Sequence, residues 1–270
     1  MDYLLDLALL VALLLALFGL LVWARWRKER KVRREHAAAL AALAHPLGGR
    51  VVGPAEARAW SADLLPPLAN ETGGFTGRLG TVRRPRFETA VDFRRGDWSV
   101  RLSEASMRKA TATSTTTLHQ HRVEVAVSGL PELKLCRRIH VDFRGRPLAE
   151  KHLREVGPAG DAPLTVAREQ RPWSQVRLPA EVDREFTAFS TDPATVTRAF
   201  TPQVADWLLG HADSDPLLSA MPILLTAEAG FVYTTGPGRI DPEQVLRTVD
   251  LVLGLLDRLR ATPAHPPITP

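Results

Sequence analysis

His119 and His121 stand one residue apart in "LHQHRVEVAVSG". On an extended strand, where side chains alternate between faces, both imidazoles point to the same side. Two adjacent imidazoles are the simplest beginning of a divalent metal site, and a third ligand would have to come from His140 or His152. No HExxH, CxxC or carboxylate pattern accompanies the pair. The preferred reading is therefore a polar strand face, with His119 and His121 kept as the metal candidates. The stretch "GGFTGRLG" (Gly73 to Gly80) has the glycine content of a phosphate loop but lacks the preceding strand and the Gly-Lys-Ser/Thr or helix that should follow, so backbone freedom explains it better. Cys136 lies in the apolar "LKLCRRI" and reads as a small buried hydrophobe; Arg137 and Arg138 would lower its pKa only if the thiol were exposed. No serine stands in a G-x-S-x-G elbow. No catalytic residue is assigned, and no cofactor is implied.

The densest chemistry in the chain is charge. In "ALFGLLVWARWRKERKVRREH" (Ala16 to His36) an apolar run gives way to Arg25, Arg27, Lys28, Arg30, Lys31, Arg33 and Arg34, opposed within the cluster only by Glu29. The formal net charge is +5, and this cluster contributes more than all of it, leaving the rest of the chain close to neutral. Nucleic-acid binding is set aside, because it needs basic residues spread over a folded reading surface and a recognisable module. The apolar run from Leu7 to Ala24, about eighteen residues, is long enough as a helix to cross a hydrocarbon core of about 30 Å. Arginine and lysine on one flank then predict a single-pass cell-membrane protein with its N-terminus outside and its body in the cytoplasm. One cysteine agrees with a reducing compartment. The seven basic residues are read as a membrane-surface anchor to lipid headgroups, with recruitment of anionic lipid as the sharper alternative. Ala8, Ala12 and Ala16 recur every fourth position, a spacing that would let two copies of the helix approach as a homodimer.

The elements that must position these residues follow from periodicity. Residues 1–24 are read as a transmembrane helix, 25–45 as a basic helical stalk stopped by Pro46 and Gly48-Gly49, and 46–74 as a connector packed on the body. From residue 75 to 143 the apolar period falls to two, as in "RFETAVDF", "DWSVRLSEA" and "HQHRVEVAVSG", which predicts antiparallel strands. Residues 144–182 hold many prolines and glycines and form a second connector. In 183–260 three helix starts share one grammar, Asp192-Pro193, Thr201-Pro202 and Asp241-Pro242, a capping side chain before proline at the first helical position. A hairpin turns at Glu228-Ala229-Gly230 between them, and 261–270 reads as a disordered tail. In the last helix Val245, Val249, Val252, Leu256 and Leu259 form one stripe, opposite Arg247, Asp250, Gly254, Asp257 and Arg258.

The segment "REFTAFSTDPATVTRAFTPQVADWLLGH", followed by the hairpin and "IDPEQVLRTVDLVLGLLDRL", resembles the C-terminal part of a family of membrane-anchored actinobacterial proteins similar to the DUF3137 group. The resemblance covers roughly Arg184 to Leu259 and, more loosely, Leu118 to Leu135. Its motifs are caps and core positions, so it implies a fold and supplies no catalytic residues. The expected fold is α+β: an N-terminal transmembrane helix, an antiparallel sheet-rich body and a C-terminal strand-helix-helix-hairpin-helix unit. The expected function is a non-catalytic binding or scaffold module on the cytoplasmic side, with membrane lipid and a protein of unknown identity as partners. The alternatives are a membrane-tethered metal-dependent hydrolase using the His119 and His121 face, and a structural envelope protein.

Overall fold

The computed structural model describes residues 2–68, 81–82, 84–110, 115–138, 173–214 and 223–264; in the first helix, side chains are described at Leu13 and from Leu15 onward. That helix, α1 (Asp2–Ala44), runs unbroken for 43 residues. It ends in a 3-10 turn, His45–Leu47, where Pro46 stops the ladder and Gly48 adopts φ +60°. At Gly49 a Cβ would fall 2.8 Å from the carbonyl oxygen of Asp92, so the absence of a side chain lets the chain leave the helix hard against the sheet.

Among the described residues no helix is long and apolar enough to cross a membrane. This corrects the transmembrane helix expected over residues 1–24. It also removes the basis for the single-pass cell-membrane placement with an outside N-terminus and a cytoplasmic body. The physical reason is that the apolar residues belong to one 43-residue rod whose second half is densely charged. The same rod then continues without a break into Arg25, Arg27 and Lys28.

The rest is an α+β arrangement around one antiparallel sheet. Its strands are β1 (Arg50–Val52), β2 (Thr81–Val82), β3 (Arg86–Arg95), β4 (Trp98–Ala110), β5 (Thr115–Ser128), β6 (Leu133–Arg137), β7 (Ser174–Gln175), β8 (Phe186–Ser190), β9 (Ile223–Glu228), β10 (Phe231–Pro237) and β11 (Thr262–Pro263). The order is β1-β3-β4-β5-β10-β9-β6-β8-β7, with β2 on β4 and β11 on β5. Strands from the middle of the chain and from its last third therefore share one sheet: β10 pairs with β5 from Phe231↔Ala126 to Pro237↔Gln120. Thr262 and Pro263, expected in the tail, pair with Ser128 and Val127.

The helices after the second connector are α2 (Ala180–Glu185), α3 (Pro193–Ala199), α4 (Pro202–Ser214) and α5 (Pro242–Arg258). Asp192 caps α3 through Thr195 N–H, and Asp241 caps α5 through Glu243 and Gln244 N–H. The expected stripe Val245, Val249, Val252, Leu256 and Leu259 is buried. It packs with Leu40 and Leu43 of α1 on Val91, Phe93, Val100, Leu102, Val123 and Val125. Arg95 holds Asp250 of α5 through two bonds of 3.0 and 2.9 Å, fixing the helix to the β3–β4 turn.

Candidate functional site: a basic cleft between the first helix and the sheet

The side of the sheet that is apolar beneath α5 changes character toward the far ends of β4 and β5. Along β4 the inward series runs Val100, Leu102, Glu104, Ser106, Arg108, and along β5 their cross-strand partners are Val125, Val123, His121, His119, Thr117. The helix above changes in step. One stripe of α1, spaced three and four residues apart, reads Leu43, Leu40, His36, Val32/Arg33, Lys28/Glu29, Arg25. Its apolar end closes the core and its polar end stands over the polar end of the sheet.

Between them lies a cleft of about 680 Å³, within the size of small-ligand sites. The helix contributes Arg25, Lys28 and Arg33, and the sheet side contributes Arg84, Arg86, Arg108 and Arg239. Against these seven cations the lining holds two carboxylates, Glu29 and Glu88. Glu29 faces Arg25 and Arg33 at 3.4 and 3.7 Å, and Glu88 faces Arg86 at 3.5 Å. Lys28, Arg84 and Arg108 have no carboxylate partner among the described residues. Burial opposes ionisation of Glu88, but the bond from Ser106 Oγ at 2.6 Å and the charges of Arg86, His119 and Arg33 outweigh it and hold the carboxyl below its usual range.

The inner end is organised by Glu104, whose side chain is 2% exposed. Its Oε2 lies 2.7 Å from His36 Nε2 and accepts the Ile240 N–H at 3.0 Å. Its Oε1 faces His119 Nδ1 at 3.7 Å and Arg239 Nε at 3.9 Å. His119 Nδ1 is fully buried and makes no hydrogen bond among the described residues. Burial pushes the His119 imidazole below the usual histidine value and Arg239 adds to this, while Glu104 and Glu88 pull the other way. Burial likewise lowers His121 against the pull of the Gly238 carbonyl.

The opposite face of the same strands carries a second charged cluster of another kind. Glu124, fully buried, accepts Trp60 N–H, Ser61 N–H, Ser61 Oγ and Ser103 Oγ at 2.6 to 3.3 Å. Arg122 donates to Ser61 Oγ and to the Leu65 carbonyl, and Gln120 accepts the Leu68 N–H. Arg101 pairs in a fork with Asp92 at 2.6 and 2.8 Å and donates to the Arg58 carbonyl. These alternate residues of β5 and their neighbours clasp residues 58–68 onto the sheet.

The metal candidates are thus brought to one face and then separated. His119 lines the cleft, whereas the His121 ring lies over Gly236, where a Cβ would come within 2.5 Å of it, and its Nδ1 faces the Gly238 carbonyl at 3.3 Å. No group of three His, Cys, Asp or Glu side chains that could hold a metal occurs among the described residues. His140 and His152 lie outside those residues, as does Gly73 to Gly80. Cys136 is buried. The basic cluster divides by helix face: Arg25, Lys28 and Arg33 line the cleft, while Arg27, Arg30, Lys31 and Arg34 are exposed elsewhere, Arg27 over Trp23 and Arg30 over Trp26. Ala16 is exposed, and the side chains of Ala8 and Ala12 lie outside the description. Glu104, Ser106, Arg86, Arg108 and Arg239 were not singled out by motif; the available signal was the interruption of an apolar strand face by glutamate, serine and arginine in steps of two. No protein-family model matches the chain, and neither a curated protein nor a solved structure is significantly similar to it.

Proposed function

We propose that the protein is a binding module, without catalytic residues of its own, whose ligand is a small multiply charged anion held in the cleft between α1 and the β3–β4–β5 end of the sheet. The observation that carries this reading is the unbalanced lining: seven cations face two carboxylates in one concave site. Like charges drawn together by a fold repel one another, and a polyanion is the ligand that relieves the repulsion of the whole set. None of the lining residues is Phe, Tyr or Trp, and Val32 is the aliphatic exception in a polar wall. A site without an aromatic platform favours a compact anion over a nucleobase or single-stranded nucleic acid, whose affinity leans on stacking.

The test is isothermal titration of the full chain with trimetaphosphate, a compact cyclic trianion, at low and moderate salt. Binding that weakens with added salt, and at least about tenfold on removing together two of the cations that have no carboxylate partner among the described residues (Arg84→Gln with Arg108→Gln), is the expected result. Equal affinity in the double variant would overturn the reading.

A further inference from the structure

The inner end of the cleft contains a group prepared for a proton that the free protein does not favour. His119 reaches the cleft with 16% of its side chain exposed, and behind it Nδ1 is sealed from solvent, 3.7 Å from a carboxylate oxygen of Glu104. A neutral imidazole makes little of that contact; an imidazolium would make an ion pair of it. The groups facing the ring come from every neighbouring element. Glu104 and Arg108 stand on β4, and Arg86 and Glu88 on β3. His36 and Arg33 stand on α1, and Arg239 follows β10. Glu104 is shared already with His36, the Ile240 amide and Arg239. Burial first and the charge of Arg239 second make a further cation on His119 unfavourable, and an anion bound beside the ring reverses the sign of the local field.

Resting on the anion-binding reading, we infer that His119 couples the cleft to pH: a multiply charged, phosphoryl-type anion is bound together with one proton, taken up on the His119 imidazole. The bound charge offsets the repulsion from Arg239, and the new Nδ1–H closes on Glu104. The ring thereby becomes an eighth cation at the ligand's inner end. Binding tightens as pH falls, because ligand and proton each favour the state the other prefers, and the coupling is reciprocal. Uptake is expected on His119 and not on His121, whose ring is turned onto the Gly236 backbone and away from the cleft lining. The shared chemistry is the phosphoryl group, whether free or on a lipid.

Trimetaphosphate suits the test because no proton of its own titrates near neutral pH. Titration of the full chain in two buffers of different ionisation enthalpy reads the protons taken up per ligand bound. Uptake that rises toward one as pH is lowered from about 8 to 6, disappears in His119→Gln while binding persists, and survives in His121→Gln is the expected result. In the unsubstituted protein the His119 Cε1–H resonance gives the same answer, its titration midpoint moving up when trimetaphosphate is added. Binding without proton uptake, uptake unchanged in His119→Gln, or an unmoved midpoint overturns this inference and leaves the anion site standing. Absence of any binding overturns both. A parallel titration with vesicles of cardiolipin in phosphatidylcholine, whose phosphodiesters carry no proton that titrates near neutral pH, separates the sources: proton-coupled binding to vesicles but not to trimetaphosphate shows that the headgroup must come on a lipid and overturns the free-anion form.

Discussion

The two faces of the sheet around β5 both gather charged side chains, and they treat them in opposite ways. On one face Glu124 meets four donors, Arg122 two acceptors, and Arg101 a forked carboxylate, all beneath a segment drawn from residues 58–68. On the other, Arg84, Arg108 and Lys28 reach into a cleft with no carboxylate of their own among the described residues. Charge that is buried and matched commits nearly all its bonding capacity to holding the chain together, Arg122 Nε being the buried atom of this face left without a hydrogen bond among the described residues. Charge that is gathered but unmatched keeps that capacity for something else. The difference lies in satisfaction, not in residue type, since arginine and glutamate serve on both faces.

That contrast breaks first where the clasp is broken. Glu124→Ala leaves Arg122 buried without its compensating charge and four donors without an acceptor, so equilibrium unfolding in urea should show a loss of about 3 to 5 kcal/mol. A loss under 1 kcal/mol would mean that the clasp is ornamental. Leu256→Ala, at a fully buried site in the apolar layer beneath α5, should cost about 2 to 5 kcal/mol by the cavity it leaves, which makes an uncharged benchmark for the clasp. Arg108→Gln should behave oppositely to both. Its melting temperature should hold or rise as repulsion in the cleft is relieved, while trimetaphosphate affinity falls about tenfold; a fall in stability equal to that of Glu124→Ala would erase the distinction between the faces. Asp241→Ala, which touches neither cluster, should cost about 1 kcal/mol through the lost cap of α5.

The smallest effect is set by pH. His119 and His121 are held below the ordinary histidine value in the folded chain, so the unfolded chain binds more protons between the two values. Their contribution is fully present above the unfolded pKa near 6.5 and is lost as pH falls below it. Melting temperatures without ligand should therefore decline from pH 7 toward pH 5, with a shallower slope in His119→Gln. Saturating trimetaphosphate should flatten that decline, and a slope unaffected by either change would separate His119 from the acid response.

Much of the fold was legible, because its determinants are local. Asp192-Pro193 and Asp241-Pro242 carry cap and proline side by side, Gly230 marks the hairpin turn, and the Val245 to Leu259 stripe repeats at helical spacing over four turns. The long helix was legible as a helix but not in its role. The sharp passage from hydrocarbon to arginine resembles the edge of a bilayer, whereas the described part of the rod uses the same residues to roof a cleft. Its sheet-facing stripe was hidden because Leu40, Leu43 and Ala44 are its core members among the described residues, and the period continues outward in His36, Arg33, Glu29 and Arg25, which a hydrophobic pattern does not register. The clasp was illegible for a different reason. Gln120, Arg122 and Glu124 look like the solvent side of a half-buried strand, and the placement of residues 60–68, more than fifty residues earlier, covers them and makes Arg122 and Glu124 interior. His119 and His121 were correctly put on one face, yet the strand period cannot tell that one ring would turn onto Gly236.

The alternation along β5 also bears on how the chain avoids folding wrongly. Slipping this strand by one residue against β4 would drive Arg122 and Glu124 into the oily layer under α5 and would hand Val123 and Val125 to the serines and backbone amides of residues 60–61. Neither group could find its partners there, so the misaligned pairing would carry the cost of buried charge without compensation. The buried charges thus act as an error check during assembly, rejecting misaligned pairings that a uniformly apolar strand would tolerate.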